Sequence, residues 1–422
     1  MSGINTGDTA WVLMSGALVL FMTPGLAIFY GGMVRAKSTL NMMMMSFAAI
    51  GVTTIIWVLY VYSLIFGKDT GNGLIGNFDH IGLNNTIDQV VGGEGHTIPA
   101  LAFVMFQLTF AIITVALLSG AIADRAKYSS WVIFVGVWIT LVYAPIAHWA
   151  FASQGGNGGW IIDKLGALDF AGGTVVEINS GAAALALAIV LGKREGFKRD
   201  PMRPHNMPLV LLGAGMLWFG WFGFNAGSAL GASGLAATAM INTQVATAGA
   251  AMSWLIYEKI KGGKATTLGV ASGAIAGAVA ITPACGYVTP LGALAIGLVG
   301  GVVSAWAVSR KYKFNYDDSL DVVGVHGFGG IVGMLAIGLI GTKTVNELGG
   351  NGLFVSGSPS LLTKQVIAIL ATAAYSFTAT FTIAKIIQKT IGFRVRRDVE
   401  LEGLDTTTHA ESAYDINPFT SR

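Results

Sequence analysis

Charge is what this 422-residue chain has least of. Asp, Glu, Lys and Arg together make up 11% of it, against about 25% in soluble globular proteins. So few charges cannot solvate the roughly three soluble domains that the length alone would suggest. The shortage also excludes a disordered chain and a nucleic-acid binder with a broad basic face. Cys285 is the only cysteine, so a disulfide scaffold is excluded. There is no HExxH, no GxSxG, no P-loop and no Cys/His set with metal spacing. No enzymatic chemistry and no cofactor are therefore expected.

What is abundant is apolar and small. Apolar residues make up 53% of the chain and 58 residues are glycine. Mean hydropathy is +0.65. This composition predicts an all-α polytopic membrane protein, because glycine lets helices approach closely where lipid supplies no hydrophobic drive between them. A spanning helix needs about 20 mostly apolar residues. Eleven stretches qualify, at residues 10–34, 40–66, 98–123, 129–150, 169–191, 207–228, 235–257, 268–284, 290–308, 322–340 and 363–387. None shows the period-two alternation of a β-barrel.

The few basic residues set the orientation. Only Lys68, Lys164, Lys343 and Lys364 fall in one set of connections, leaving 21 of the 25 in the other or in the C-terminal segment. The richer side is cytoplasmic by the positive-inside rule. The N-terminus is then outside and the C-terminus inside, which requires an odd number of spans. The opening MSGINTGDTA has no basic stretch before the first apolar run, so no cleavable signal is expected. The long external connection 67–97 is acidic, with Asp69, Asp79, Asp88 and Glu94, and holds an Asn84-Asn85-Thr86 sequon.

The basic, proline-containing loop at 192–205 divides the chain into two five-helix halves plus one helix. The expected units are 1–195, 196–345, an external loop with the eleventh helix at 346–390, and a cytoplasmic tail at 391–422. Halves with five helices each insert with opposite topology, which is the arithmetic of an inverted repeat.

Ionisable residues within spans are costly and therefore candidates for function. Asp169 and Glu177 lie on the fifth span and His326 on the tenth. Eight residues is about two helical turns, so Asp169 and Glu177 would share a face about 12 Å apart. Asp169 is read first as a helix cap. Glu177 and His326 would face each other if the two helices meet at the centre. The competing readings are a protonated structural Glu and a His that pins two helices. Two aromatic groups complete the candidates: Phe106 with Phe110, and Trp221 through Ser228. Aromatic faces bind cations, and a hydroxyl accepts from an ammonium-like ion.

Further segments stand out: Phe29-Tyr30-Gly31-Gly32-Met33-Val34-Arg35, residues 166–176, Pro204-His205-Asn206-Met207-Pro208, residues 221–228, Thr282-Pro283-Ala284-Cys285-Gly286, residues 321–330, and Glu402-Gly403-Leu404-Asp405 with His409 and Tyr414. In these the chain resembles the ammonium transporter family, which includes the Amt, methylammonium permease and Rhesus proteins, and in particular its microbial Amt branch. The resemblance implies a homotrimer in the plasma membrane with one pore per subunit, carrying NH4+ or methylammonium. It implies that Phe110 and Phe224 form a stacked phenyl gate, and that Phe106, Ser228 and residue 151 form an external recruitment site supported by Asp169. Trp221 would line the pore, and His326 would be the second of two pore histidines. The tail would couple subunits and meet a PII-type regulator resembling GlnK.

Two positions depart from the family pattern. Residue 177, where the first pore histidine would fall, is Glu177. Residue 151, where a tryptophan would fall, is Phe151, a weaker cation host without an N–H, followed by the glycine-rich loop 152–159. Trp149 or Trp160 could replace it. A similar Glu-for-His exchange occurs in some fungal members. The function expected is capture of NH4+ outside, its deprotonation, and passage of NH3 with separate transfer of the proton. The alternatives are an ammonium sensor signalling through the tail and an electroneutral channel of Rhesus type.

Overall fold

The computed structural model describes residues 3–92 and 96–414, so Glu94 and tail residues 415–422 lie outside it. The chain is a bundle of helices. We label them α1 Thr6–Met33, α2 Ala36–Phe66, α3 Ala100–Ile122, α4 Tyr128–Phe151, α5 Gly173–Leu191, α6 Met207–Gly227, α7 Gly234–Gly262, α8 Thr267–Ile281, α9 Pro290–Phe314, α10 Val323–Ile340 and α11 Ser360–Thr390. Nine of these described helices, all but α7 and α8, are long and apolar enough to cross a membrane. The seventh and eighth expected spans also fall on helices. α7 is diluted by Thr238, Asn242, Thr243 and Gln244, and α8 has only 15 residues.

Local chemistry fixes many of the helix starts. Asn5, Asn206, Ser233, Thr266 and Thr289 each cap the helix that follows, accepting a backbone N–H three residues on. Asn315 (φ 63°) and Gly263 (φ 78°) close α9 and α7 in the left-handed conformation.

Packing follows the small residues. α1 lies along α6, where Gly213, Gly220, Gly223 and Gly227 present almost no side chain to it. A Cβ on Gly223 would sit 2.6 Å from Leu18 Cβ, so the two backbones approach as only glycine allows. α5 and α10 meet lower in the bundle, where a Cβ on Gly181 would overlap the Cα of Gly327. Both helices begin with a wide π turn, Gly173–Ile178 and Val323–Gly327.

The fifth expected span differs from the observed helix at its start. Asp169 lies in a loop rather than on the helix, because Gly172 takes φ 114° and the chain turns there before α5 begins. The two-turn spacing between Asp169 and Glu177 therefore does not apply: residues 170–172 are not helical and the next turn is π. The loop after Phe151 is built around Asp163, which accepts from the backbone N–H of Gln154, Gly156 and Gly158 and from the Ser153 hydroxyl. Thr86 of the sequon is buried, with its hydroxyl donating to Leu83 O.

Candidate functional site

Asp169 stands at the head of α5. Its Oδ1 accepts from Gly172 N at 2.9 Å and Gly173 N at 2.6 Å. Its Oδ2 accepts from Thr174 N at 2.7 Å and from the Thr174 hydroxyl. One carboxylate thus satisfies three N–H groups that the helix start would leave unpaired.

Four phenyl rings gather at the end of the bundle where α3 begins and α4 and α6 finish. Phe110 of α3 stacks on Phe224 of α6 with centroids 4.2 Å apart and planes inclined by 34°. Phe106 lies 4.9 Å from Phe110, and Phe151 approaches Phe110 edge-on at 6.4 Å. Both stacked rings are about 1% exposed. Ser228 donates its hydroxyl proton to Phe224 O at 2.8 Å, which leaves its oxygen lone pairs as acceptors. Trp149 has its N–H bonded to Leu74 O at 2.9 Å and its ring packed against Trp160 and Tyr375. Its donor is thus already occupied.

Beyond Phe224 lies a narrow cavity of about 10 Å³, room for a single water-sized molecule. Its lining is almost wholly apolar, with Leu26, Ile113, Val176, Leu217 and Ile275 among its walls. Trp221 borders it, held by an N–H bond to Thr282 Oγ1 of 2.9 Å. Among the described residues, Glu177 and His326 are the only ionisable ones on its wall apart from Tyr30, whose hydroxyl donates to Leu117 O. Glu177 Oε2 lies 2.7 Å from His326 Nδ1. A contact that short requires one proton between the two atoms, carried by either. Glu177 is fully buried, and its second oxygen, Oε1, has no hydrogen-bond partner among the described residues.

The wide turns explain how the pair meets. Glu177 is the fifth residue of one π turn and His326 the fourth of the other, and the glycine contact between Gly181 and Gly327 brings the helices together beside them. π turns recur where a helix must aim a side chain at a site. Composition gave no sign of these turns, nor of the supporting roles of Thr174, Thr282 and Tyr30.

On the opposite side from the phenyl rings, charged residues knit the loops. Arg194 holds Asp317 through two bonds of 2.9 Å and reaches Asp124 at 3.4 Å. Burial works to raise the Asp317 carboxyl, but its bonds to Arg194 and the charge of Arg125 hold it down at about 2. The neighbouring Asp318 goes the other way: burial pushes its carboxyl up to about 6 against the pull of Lys311. The tail packs onto the same face. Asp405 accepts from Leu40 N at 3.0 Å and Asn41 N at 2.8 Å at the head of α2. Tyr414 contacts His205 Nε2 at 2.9 Å, and Glu400 Oε1 accepts from Glu195 N at 2.6 Å.

Comparison with known proteins agrees across almost the whole length. The sequence pattern of the Ammonium Transporter Family matches residues 10–414. The chain is 52% identical to an ammonium transporter of Mycobacterium tuberculosis over 432 aligned positions, covering 97% of this chain and 90% of that one. It is 48% identical to an ammonium transporter of Bacillus subtilis, covering 97% and 98%. Its fold superposes on the crystal structure of Saccharomyces cerevisiae Mep2 with a TM-score of 0.85 and 32% identity, covering 94% of this chain and 89% of that one.

Proposed function

This chain belongs to the ammonium transporter family, and on that premise we propose how it moves its substrate. NH4+ is captured outside among Phe106, Phe110, Phe151, Phe224 and Ser228, with Asp169 holding the start of α5 in place. The aromatic faces attract the cation and Ser228 Oγ accepts one of its N–H bonds. Passage between Phe110 and Phe224 strips the ion of water, and the apolar cavity beyond favours neutral NH3 over NH4+. The proton lost in NH4+ → NH3 + H+ passes through Glu177 and His326, while NH3 moves past them to the cytoplasm.

The observation that carries this reading is the 2.7 Å contact between Glu177 and His326 on an otherwise apolar wall. Two groups sharing one proton can accept a second on one side and release one on the other, and such a pair titrates as a unit. The same reading has all eleven helices crossing the plasma membrane with the C-terminus inside, three copies assembled as a trimer, and a PII-type regulator on the cytoplasmic face. The distribution of basic residues and the docked tail support it.

The test is current across proteoliposomes on an ammonium jump. An inward current together with accelerated NH3 flux is expected. Flux without current would replace this reading with an electroneutral channel, and neither would overturn it.

A further inference from the structure

A groove between α5, α9 and α10 takes no part in the pathway described above. It is an open groove of about 630 Å³ walled by Leu185, Ile189, Trp306, Phe314 and Phe328. It lies where α5 ends at Leu191 and α9 at Phe314, close to the basic side of the molecule. Two cations line it, the exposed Lys193 and the half-buried Arg310. The Arg310 guanidinium sits over the Trp306 ring, 4.7 Å from its centroid. Its buried Nε has no hydrogen-bond partner among the described residues. The one acid on the wall among the described residues, Asp317, is already bound twice by Arg194, so none of them offers a free carboxylate to oppose an anion.

We propose that this groove binds an anionic phospholipid of the cytoplasmic leaflet. Its phosphate bonds to Arg310 and Lys193, and an acyl chain lies along Trp306, Phe314 and Phe328. The apolar walls give a free phosphate nothing to bind, and the two cations give a zwitterionic lipid little advantage. The orientation proposed above serves only to name the leaflet; binding does not depend on transport.

Brominated acyl chains quench tryptophan on contact, which makes Trp306 the local probe. The purified protein, stripped of lipid in an uncharged detergent, is titrated with brominated phosphatidylglycerol and with phosphatidylcholine carrying the same chains. The signal followed is the part of the quenching lost in Trp306→Phe. Phosphatidylglycerol should bind about 30-fold more tightly, since each of the two cations contributes on the order of 1 kcal/mol near an anionic lipid. The double variant R310Q/K193Q should erase that preference and leave phosphatidylcholine binding unchanged, while Arg310→Lys should keep most of it. Equal binding of the two lipids, or an unchanged preference in the double variant, would overturn the proposal. So would displacement of the lipid by glycerol phosphate, which has the headgroup without the chains. If the double variant fails to elute as the parent does, the two-lipid comparison on the parent decides alone.

Discussion

Replacing Glu177 with alanine removes the carboxylate but leaves His326 and the Phe110–Phe224 stack in place. Ammonium-driven current should fall by about 100-fold, the lower end of what a positioned proton-transfer group supplies. Glu177→His should keep current and shift its pH profile. Proteoliposome currents at several pH values check both, and an unchanged pH profile in both would remove Glu177 from the proton path. Asp318 carries a prediction about stability. Its carboxyl is raised to about 6 from an ordinary 3.8, so the folded protein holds that proton more tightly than the unfolded chain. Its contribution is present below pH 3.8 and is lost as pH rises to 6, a change on the order of 3 kcal/mol. Asp317, held at about 2, has the opposite sign and loses its contribution only as pH falls from 3.8 toward 2. Asp318→Asn should therefore flatten the decline in melting temperature between pH 4 and 6 without changing the acid limb below it.

The start of α5 shows what an element's sequence conceals. The continuous apolar run predicts a helix from Asp169, and Asp169 does cap one, yet helical residues begin only at Gly173. Hydropathy has period but no dihedral angle, so the turn at Gly172 (φ 114°) is invisible to it. The existence of the helices was legible because length and apolarity decide it. The capping role of Asp169 was legible because carboxylates favour helix starts. That Trp149 gives its N–H to Leu74 O was not, since the partner is 75 residues away. Asp169→Ala should cost about 3 kcal/mol, because three backbone donors lose a charged acceptor. Asp169→Asn should cost less, since one acceptor oxygen remains. Melting temperature in detergent ranks the three proteins, and no loss in the alanine variant would contradict the cap.

At the scale of the molecule, the sparse charges divide between two tasks. In the orientation proposed above some anchor topology, and others lock loops that are distant in sequence: Arg194 ties the connection before α6 to that before α10 and to that after α3. Asp405 ties the tail to α2. Asp405→Ala should release the tail, and trypsin should cut after Arg394, Arg396 or Arg397 about fivefold faster, matching the ~1 kcal/mol of a helix cap. Unchanged cleavage would show that Tyr414 and Glu400 hold the tail without it.

The two wide turns also have a meaning for descent. A π turn is an α turn carrying one additional residue, so the direction of Glu177 depends on chain length as much as on residue identity. Deleting a single residue between Gly173 and Val176 would rotate everything before the deletion by about 100° relative to Glu177, parting the carboxylate from the surroundings that Asp169 organises. The same holds for a deletion between Val323 and Val325 and the ring of His326. If Glu177 and His326 act as proposed, an exchange of residue type at 177 therefore disturbs the site less than the gain or loss of one residue at either turn.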